Sequence, residues 1–105
     1  MQNMTDVVVT TSIEEVPDFE FYRCRSLSSM QFVKSLTSIG SGAFAECDLK
    51  NACLSNTNIK EIRHGAFREC SSLSAVSFPS TLCHIGSKAF DKDKSLMLVS
   101  VDFSV

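Results

Sequence analysis

The chain has 105 residues, is 44% hydrophobic and carries a formal net charge of −2. This length allows one small domain, and the scattered lysines and arginines exclude the basic stripe of a nucleic-acid-binding protein. No apolar stretch approaches the roughly 18 residues of a membrane span, and residues 1–6 lack the basic start and apolar core of a signal peptide.

A period of 23 residues organises the sequence. Four phenylalanines recur at this interval, and most other apolar residues fall into columns with the same spacing. The columns are Phe21, Phe44, Phe67 and Phe90; Val16, Ile39, Ile62 and Ile85; Ile13, Leu36, Ile59 and Leu82; Leu27, Leu73 and Leu96; Met30, Val76 and Val99; and Phe32, Phe78 and Val101. Repeats of about 20–29 residues with leucine-like spacing are typical of leucine-rich repeats, in which each unit forms one turn of a solenoid.

The period divides the chain into a partial repeat, 1–12, and four full repeats, 13–35, 36–58, 59–81 and 82–105. In the partial repeat Met4, Val7 and Val9 fall in the strand columns, so we predict a strand at about residues 4–10. Because each turn of a solenoid packs only on its neighbours, the repeats form a single domain, 1–105.

The repeat 36–58 contains a shift of one residue. Strict counting places Lys50 at an inward leucine position, whereas Leu49, Ala52 and Leu54 keep the strand spacing one residue earlier. Burying a lysine costs more than a local bulge, so we predict the shifted register, with a compensating extra residue within 55–58. The shift turns Cys53 outward.

The clearest turn runs from Leu73 to Phe90. Val76 and Phe78 alternate with small residues as in a half-buried strand, and Pro79 ends the strand because it has no N–H to donate. A single helical turn is predicted at 88–91, on the wall opposite the strand. The predicted fold class is therefore an α/β solenoid with a parallel sheet on its concave face and short helical turns opposite.

The array begins and stops within a turn, since Val105 falls in the column of Leu82. Solenoids normally need capping repeats over the open ends of the core. An alternative function follows, in which the chain is a structural, self-associating segment or spacer of a longer array that forms homo-oligomers through its uncapped ends.

The five cysteines do not form a closed disulfide framework, because their number is odd. Cys24, Cys47 and Cys70 share one column, where parallel Cα–Cβ vectors disfavour a bridge, so we expect buried free thiols. No zinc-binding spacing links His64 or His84 to the cysteines, and no nucleophile has a histidine and carboxylate beside it in sequence. We expect no metal, no cofactor and no enzymatic activity.

The strings Ile39-Gly-Ser-Gly-Ala-Phe-Ala-Glu-Cys47 and Ile62-Arg-His-Gly-Ala-Phe-Arg-Glu-Cys70 resemble the BspA-like leucine-rich repeats. The resemblance covers about residues 4–105 and departs from the family pattern at Asp93, which replaces the last cysteine of the column. It implies a right-handed parallel solenoid from a cell-surface protein, with a role in adhesion and a host or extracellular-matrix protein as partner. The location remains open, because free cysteines and the lack of a signal peptide favour a cytoplasmic alternative.

A concave sheet face is where repeat solenoids usually bind, so we predict a non-catalytic surface that binds a protein or glycan there. Its outward positions are Ser29, Gln31, Asn51, Ala75, Ser77, Leu98 and Ser100. Short polar residues can also simply solvate a sheet, and Leu98 could instead face a further repeat.

Overall fold

The computed structural model describes residues 6–8 and 14–101, with the backbone alone at 6–8, 98 and 101. These residues contain nine strands, which are short because each wall receives only a few residues from every turn of the solenoid. The strands are β1 Asp6–Val8, β2 Glu15–Val16, β3 Ser29–Gln31, β4 Ser38–Ile39, β5 Asn51–Cys53, β6 Glu61–Ile62, β7 Ala75–Phe78, β8 His84–Ile85 and β9 Leu98–Val101.

The strands alternate between two walls of a solenoid. Every pairing is parallel and joins strands of successive repeats: β1 to β3, then β2 to β4 to β6 to β8, and β5 to β7 to β9. The predicted parallel solenoid is confirmed. The first predicted strand is confirmed at 6–8, whereas Met4, Val9, Ile13 and Val105 lie outside the described residues.

The shifted register in the second repeat is confirmed. Leu49, Ala52 and Leu54 are fully buried, while Lys50 and Cys53 are exposed. Within 55–58, where the compensating residue is predicted, Thr57 is buried and its hydroxyl donates to the Leu54 carbonyl at 2.7 Å.

The shift also divides the predicted continuous sheet. The strands β1 and β3 form one sheet and β5, β7 and β9 another, with the Lys50 N–H donating to the Ser28 carbonyl at 3.2 Å where they meet. The separation of 22 residues between Ser29 and Asn51 differs from the 24 between Asn51 and Ala75, so the ladder changes register at this point. We call the surface carried by β3, β5, β7 and β9 the strand face.

The third wall, which we call the turn wall, consists of residues 17–24, 40–47, 63–70 and 86–93. The single helical turn predicted at 88–91 is wrong, and among the described residues no helix forms. Overlapping turns replace it, with left-handed residues at two positions of every repeat: Phe19, Gly42, Gly65 and Lys88 at the first, and Arg23, Glu46, Glu69 and Lys92 at the second, all with φ between 57° and 62°.

Left-handed residues interrupt a helix and turn alternate N–H groups towards the next repeat. The N–H groups of Gly42, Phe44 and Glu46 donate to carbonyls of the following repeat at 2.8–3.0 Å, and the same three bonds recur in the repeats on either side. The N–H groups between them close turns within the repeat, such as that from Ala45 to Gly42 at 3.1 Å. The turn wall is therefore hydrogen-bonded along the solenoid as regularly as a sheet.

The core lies between the three walls. The four repeated phenylalanines stack with ring centroids 5.2–5.3 Å apart and nearly parallel planes. Cys24, Cys47 and Cys70 are buried free thiols, as predicted. The Cys47 thiol donates to the Phe21 carbonyl at 2.9 Å, so the cysteine column also links successive repeats.

Candidate binding surface

Most of the predicted binding residues lie together on the strand face. Ser29, Gln31, Asn51 and Ser100 are exposed, whereas Ala75 and Ser77 are half-buried. The pairing of β5, β7 and β9 forms two rows of outward residues across these strands. One row has Asn51, Ala75 and Leu98, and the other has Cys53, Ser77 and Ser100. For Leu98 the structure gives the backbone position alone.

Small side chains leave a shallow depression of about 340 Å³ on this face. It is lined by Asn51, Ala52, Cys53, Ala75, Val76, Ser77 and Ser100. Four of the predicted residues, Asn51, Ala75, Ser77 and Ser100, thus line one concavity.

A larger polar groove of about 530 Å³ lies at the carboxyl ends of the long strands, and the sequence did not predict it. It contains the three corners that follow β3, β5 and β7, at which the chain turns away from the strand face. The lining residues are Gln31, Phe32, Val33, Lys34, Ser55, Asn56, Thr57, Asn58, Pro79, Ser80 and Thr81. The signal in the sequence is the pair of clusters 55–58 and 79–81, which are rich in Ser, Thr and Asn.

Several polar groups in this groove are fixed by bonds to the backbone. The Asn58 side chain donates to the Lys34 carbonyl at 3.0 Å, and the Thr81 hydroxyl donates to the Ile59 carbonyl at 2.8 Å. Gln31 belongs both to the strand face and to this groove, so the two surfaces are continuous.

Cys53 differs chemically from the other cysteines. Its thiol is exposed on the strand face, 3.6 Å from the Ser55 hydroxyl, and Ser77 is its partner across the ladder. Hydrogen bonding from Ser77, and then from Ser55, lowers the pKa of the Cys53 thiol. By contrast, burial raises the pKa of Cys47 to about 12. Exposure and a lowered pKa therefore set the Cys53 thiol apart from the buried Cys47 thiol.

Charged residues of the turn wall form ion pairs between successive repeats. Arg23 pairs with Glu46 at 3.2 Å and Arg68 with Asp91 at 3.5 Å. Arg25 also binds Glu46, at 3.1 Å. Desolvation opposes ionisation of Glu46, but the Tyr22 hydroxyl and the two arginines keep its pKa below the ordinary value.

No metal centre emerges from the titratable residues: within 14–101, the range whose side chains are mostly described, no three His, Cys, Asp or Glu side chains converge. His64 is exposed, with Nδ1 2.8 Å from the Ser87 hydroxyl. No helix in the described part of the chain is long and apolar enough to cross a membrane.

The parallel walls, the stacked apolar columns and the 23-residue period define a leucine-rich-repeat solenoid. The profile of the BspA type leucine rich repeat region matches residues 1–105 in six copies, and the chain belongs to this family. Among solved structures it is similar to a leucine-rich repeat protein from Bacteroides ovatus, with 34% identity and a TM-score of 0.84. The match covers 91% of this chain and 24% of that protein, so the chain spans about a quarter of its length. No curated protein matches the chain.

Proposed function

We propose that this chain is a non-catalytic binding module that presents the strand face and its adjoining groove to a protein or glycan. The observation that carries this proposal is the continuity of the two surfaces through Gln31, which gives an extended polar surface crossing several repeats. Small side chains lose little conformational entropy when they are covered, so such a surface can bind at low entropic cost.

The chemistry of the surface supports recognition through hydrogen bonds. Serine, threonine and asparagine side chains both donate and accept, which suits the hydroxyl groups of a sugar as well as a peptide backbone. The groups already bonded to the backbone, such as those of Asn58 and Thr81, keep the groove in one shape. A preformed surface avoids the cost of ordering loops on binding.

An adhesion role at a cell surface, with a host or extracellular-matrix protein as partner, is the finer form of this proposal. Family membership supports a repeat module that makes interactions. The extended form of the strand face suits a large partner better than a small substrate, because it offers contacts across several repeats.

The test uses immobilised matrix glycoproteins of known composition, before and after enzymatic removal of their glycans. We expect Ser100→Arg and Gln31→Ala to weaken binding at least roughly fivefold, since an interface residue of this kind contributes about 1 kcal/mol. Ser38→Arg, on β4 of the other sheet, is the matched control. Ser77→Ala removes a hydroxyl from the same row as Ser100 without adding charge.

Loss of binding after glycan removal would identify a glycan as the ligand, and retention would identify a protein. Equal binding by the wild type, Gln31→Ala, Ser77→Ala and Ser100→Arg would contradict the proposal for the strand face.

A second candidate function, end-to-end association, has its own observation. In the repeat that contains β8 and β9, three large apolar residues are exposed: Ile85, Met97 (89%) and Val99 (54%). Ile85 and Val99 occupy columns that are buried in other repeats, so a second copy stacked there would cover them. Sedimentation over a range of protein concentrations tests this candidate, which a strict monomer would exclude.

A further inference from the structure

Phe19 has a backbone conformation that its side chain disfavours. Its φ is 58°, in the left-handed region, and the equivalent residues of the next two repeats are Gly42 and Gly65. A bulky L-residue in this region is strained, whereas glycine is not. The ring is 60% exposed, so burial in the core does not compensate for the strain. The turn wall imposes this φ on the same position of every repeat, so what distinguishes Phe19 is a large exposed ring where the next two repeats have glycine.

The ring of Phe19 is nonetheless held in a defined position. It lies against Gly42, where any Cβ would collide with it. It also meets Tyr22 edge to face, with centroids 5.8 Å apart and planes at 86°. Tyr22 is fixed in turn, because its hydroxyl donates to Glu46 Oε2 at 3.1 Å and the Arg23 guanidinium lies 5.4 Å from its ring centroid.

The two aromatic rings border a recess on the turn wall. In the next repeat the equivalent residues are Gly42 and Ala45, and in the following repeat Gly65 is equivalent to Phe19. These small residues leave a depression beside the two rings. The recess has a volume of about 270 Å³, enough for one large side chain. Its lining residues are Phe19, Tyr22, Gly42, Ala45, Glu46, His64, Gly65, Arg68 and Glu69.

The polar groups on the rim are largely committed to partners within the chain. Glu46 accepts from a tyrosine and two arginines, and His64 lies against Ser87. Arg68 has an ion pair with Asp91, although its Nε makes no hydrogen bond. A sugar would need many of these groups to be free, because its hydroxyls must be hydrogen-bonded when they leave water. An apolar side chain makes no such demand and suits the glycine and alanine floor.

Glu69 is the exception on the rim. It is exposed, lies one repeat from Glu46, and has no ion pair within the described part of the chain. The Glu69 carboxylate therefore favours a positively charged group on the ligand, next to the part that the recess binds.

We propose that this recess binds a protein partner by taking up one aromatic or large aliphatic side chain, with a lysine or arginine of the partner beside it at Glu69. Exposed aromatic residues with arginines nearby are the usual composition of binding hot spots between proteins. The proposal concerns a wall other than the strand face, so either site can fail without affecting the other.

Blocked dipeptides are the probes: N-acetyl-Phe-Arg-amide, with N-acetyl-Gly-Arg-amide and N-acetyl-Phe-Glu-amide as comparisons, and the methyl glycosides of glucose, galactose and mannose. Binding to the full chain is followed through amide chemical shifts. We expect the Phe-Arg probe to bind roughly tenfold more tightly than the Gly-Arg probe, through burial of its ring. The shifts should centre on Gly42, Ala45 and Gly65.

Two variants separate the ring from the charge. Phe19→Gly relieves the strained φ and removes the ring, so it should fold and lose binding of the Phe-Arg probe. Lys88→Gly makes the same backbone change in the same column outside the recess and should bind as the wild type does. Glu69→Gln should keep binding of a ring but lose the preference for Phe-Arg over Phe-Glu.

Binding of the glycosides in place of the dipeptides would overturn the proposal in favour of a glycan. Shifts centred on the strand face, equal affinity for the Phe-Arg and Gly-Arg probes, or no binding by any probe would also overturn it.

Discussion

Asp93 occupies the column in which the three preceding repeats carry a cysteine, and this exchange changes the chemistry of the position. The Cys70 thiol donates to the Phe44 carbonyl at 3.1 Å, which a carboxylate cannot do. Asp93 instead accepts from the Cys70 N–H at 2.7 Å through Oδ1, while its Oδ2 is buried without a hydrogen-bond partner. Burial raises the pKa of Asp93 to about 7, although the bond from Cys70 lowers it.

This raised pKa predicts that stability falls as the pH rises from about 4 to about 7. The folded chain holds the proton on Asp93 up to a pKa of about 7, whereas the unfolded chain releases it near 3.8. Between these values the folded state binds more protons, so its stabilisation is complete at low pH and is lost through the folded pKa. Urea denaturation at pH 5 and pH 8 measures the change.

Asp93→Asn is the comparison, since it keeps an acceptor for Cys70 and does not titrate. The difference in stability between wild type and Asp93→Asn should change across this pH range. A difference that is the same at pH 5 and pH 8 would show that Asp93 titrates normally. Asp93→Cys, which restores the column, should also remove the pH dependence and be more stable than the wild type at pH 8.

The turn wall is the element that the sequence predicted least well. Its repeated phenylalanines, such as Phe44 and Phe67, are buried in the core, as their period predicts. The backbone conformation of this wall was predicted wrongly, because a short segment with alanine and phenylalanine resembles a helical turn. Gly42 and Gly65 are a signal of one left-handed position that the prediction did not use. The second position carries Arg23, Glu46, Glu69 and Lys92, none of which signals positive φ. Hydrogen bonds between repeats impose that conformation, and a local pattern cannot show them.

The two left-handed glycines of the turn wall, Gly42 and Gly65, should respond differently to alanine. At Gly65 the nearest atom to a new Cβ is Arg68 Cβ, 3.9 Å away, so Gly65→Ala introduces strain in φ alone. We expect a loss of about 1–2 kcal/mol in the free energy of unfolding. Gly42→Ala should lose more, because its Cβ also meets the Phe19 ring.

Chemical denaturation of the single variants and of Phe19→Gly combined with Gly42→Ala completes a double-mutant cycle. If the extra loss at Gly42 comes from the ring, the combined variant should show a Gly42→Ala effect equal to that of Gly65→Ala. Equal losses for the two single variants would contradict the contact between Phe19 and Gly42.

Across the whole molecule, the period predicted the architecture because equivalent residues of successive repeats pack in the same way. The phenylalanine column, the strand columns and the shifted register at Lys50 followed from spacing and from the cost of burying charge. The division of the strand face and the Phe19 recess did not, because they depend on how neighbouring repeats differ. The binding residues Ser29, Gln31 and Ser100 remain predictions on a surface whose exposure is now described.

The phenylalanine column predicts a gradient of mutational effects along the molecule. Phe67 is fully buried and stacks on both Phe44 and Phe90, so Phe67→Ala should lose about 3–5 kcal/mol in the free energy of unfolding. Phe90 is half-buried and has one such neighbour in the described column, so Phe90→Ala should lose less. Urea denaturation compares the two, and equal losses would contradict the stacked column as the source of stability.

The hydrogen bonds of the turn wall give this wall a net dipole along the solenoid axis. The N–H groups of Gly40, Arg63 and Gly86 point back to the preceding repeat, but the three that follow in each turn from Phe19 to Glu69 point to carbonyls of the next repeat. Peptide dipoles arranged in this way add head to tail, as they do in an α-helix, and each has a moment of about 3.5 D. Along this wall the positive end lies towards the carboxyl-terminal repeats. Every repeat of this kind lengthens the aligned column, whatever side chains it carries.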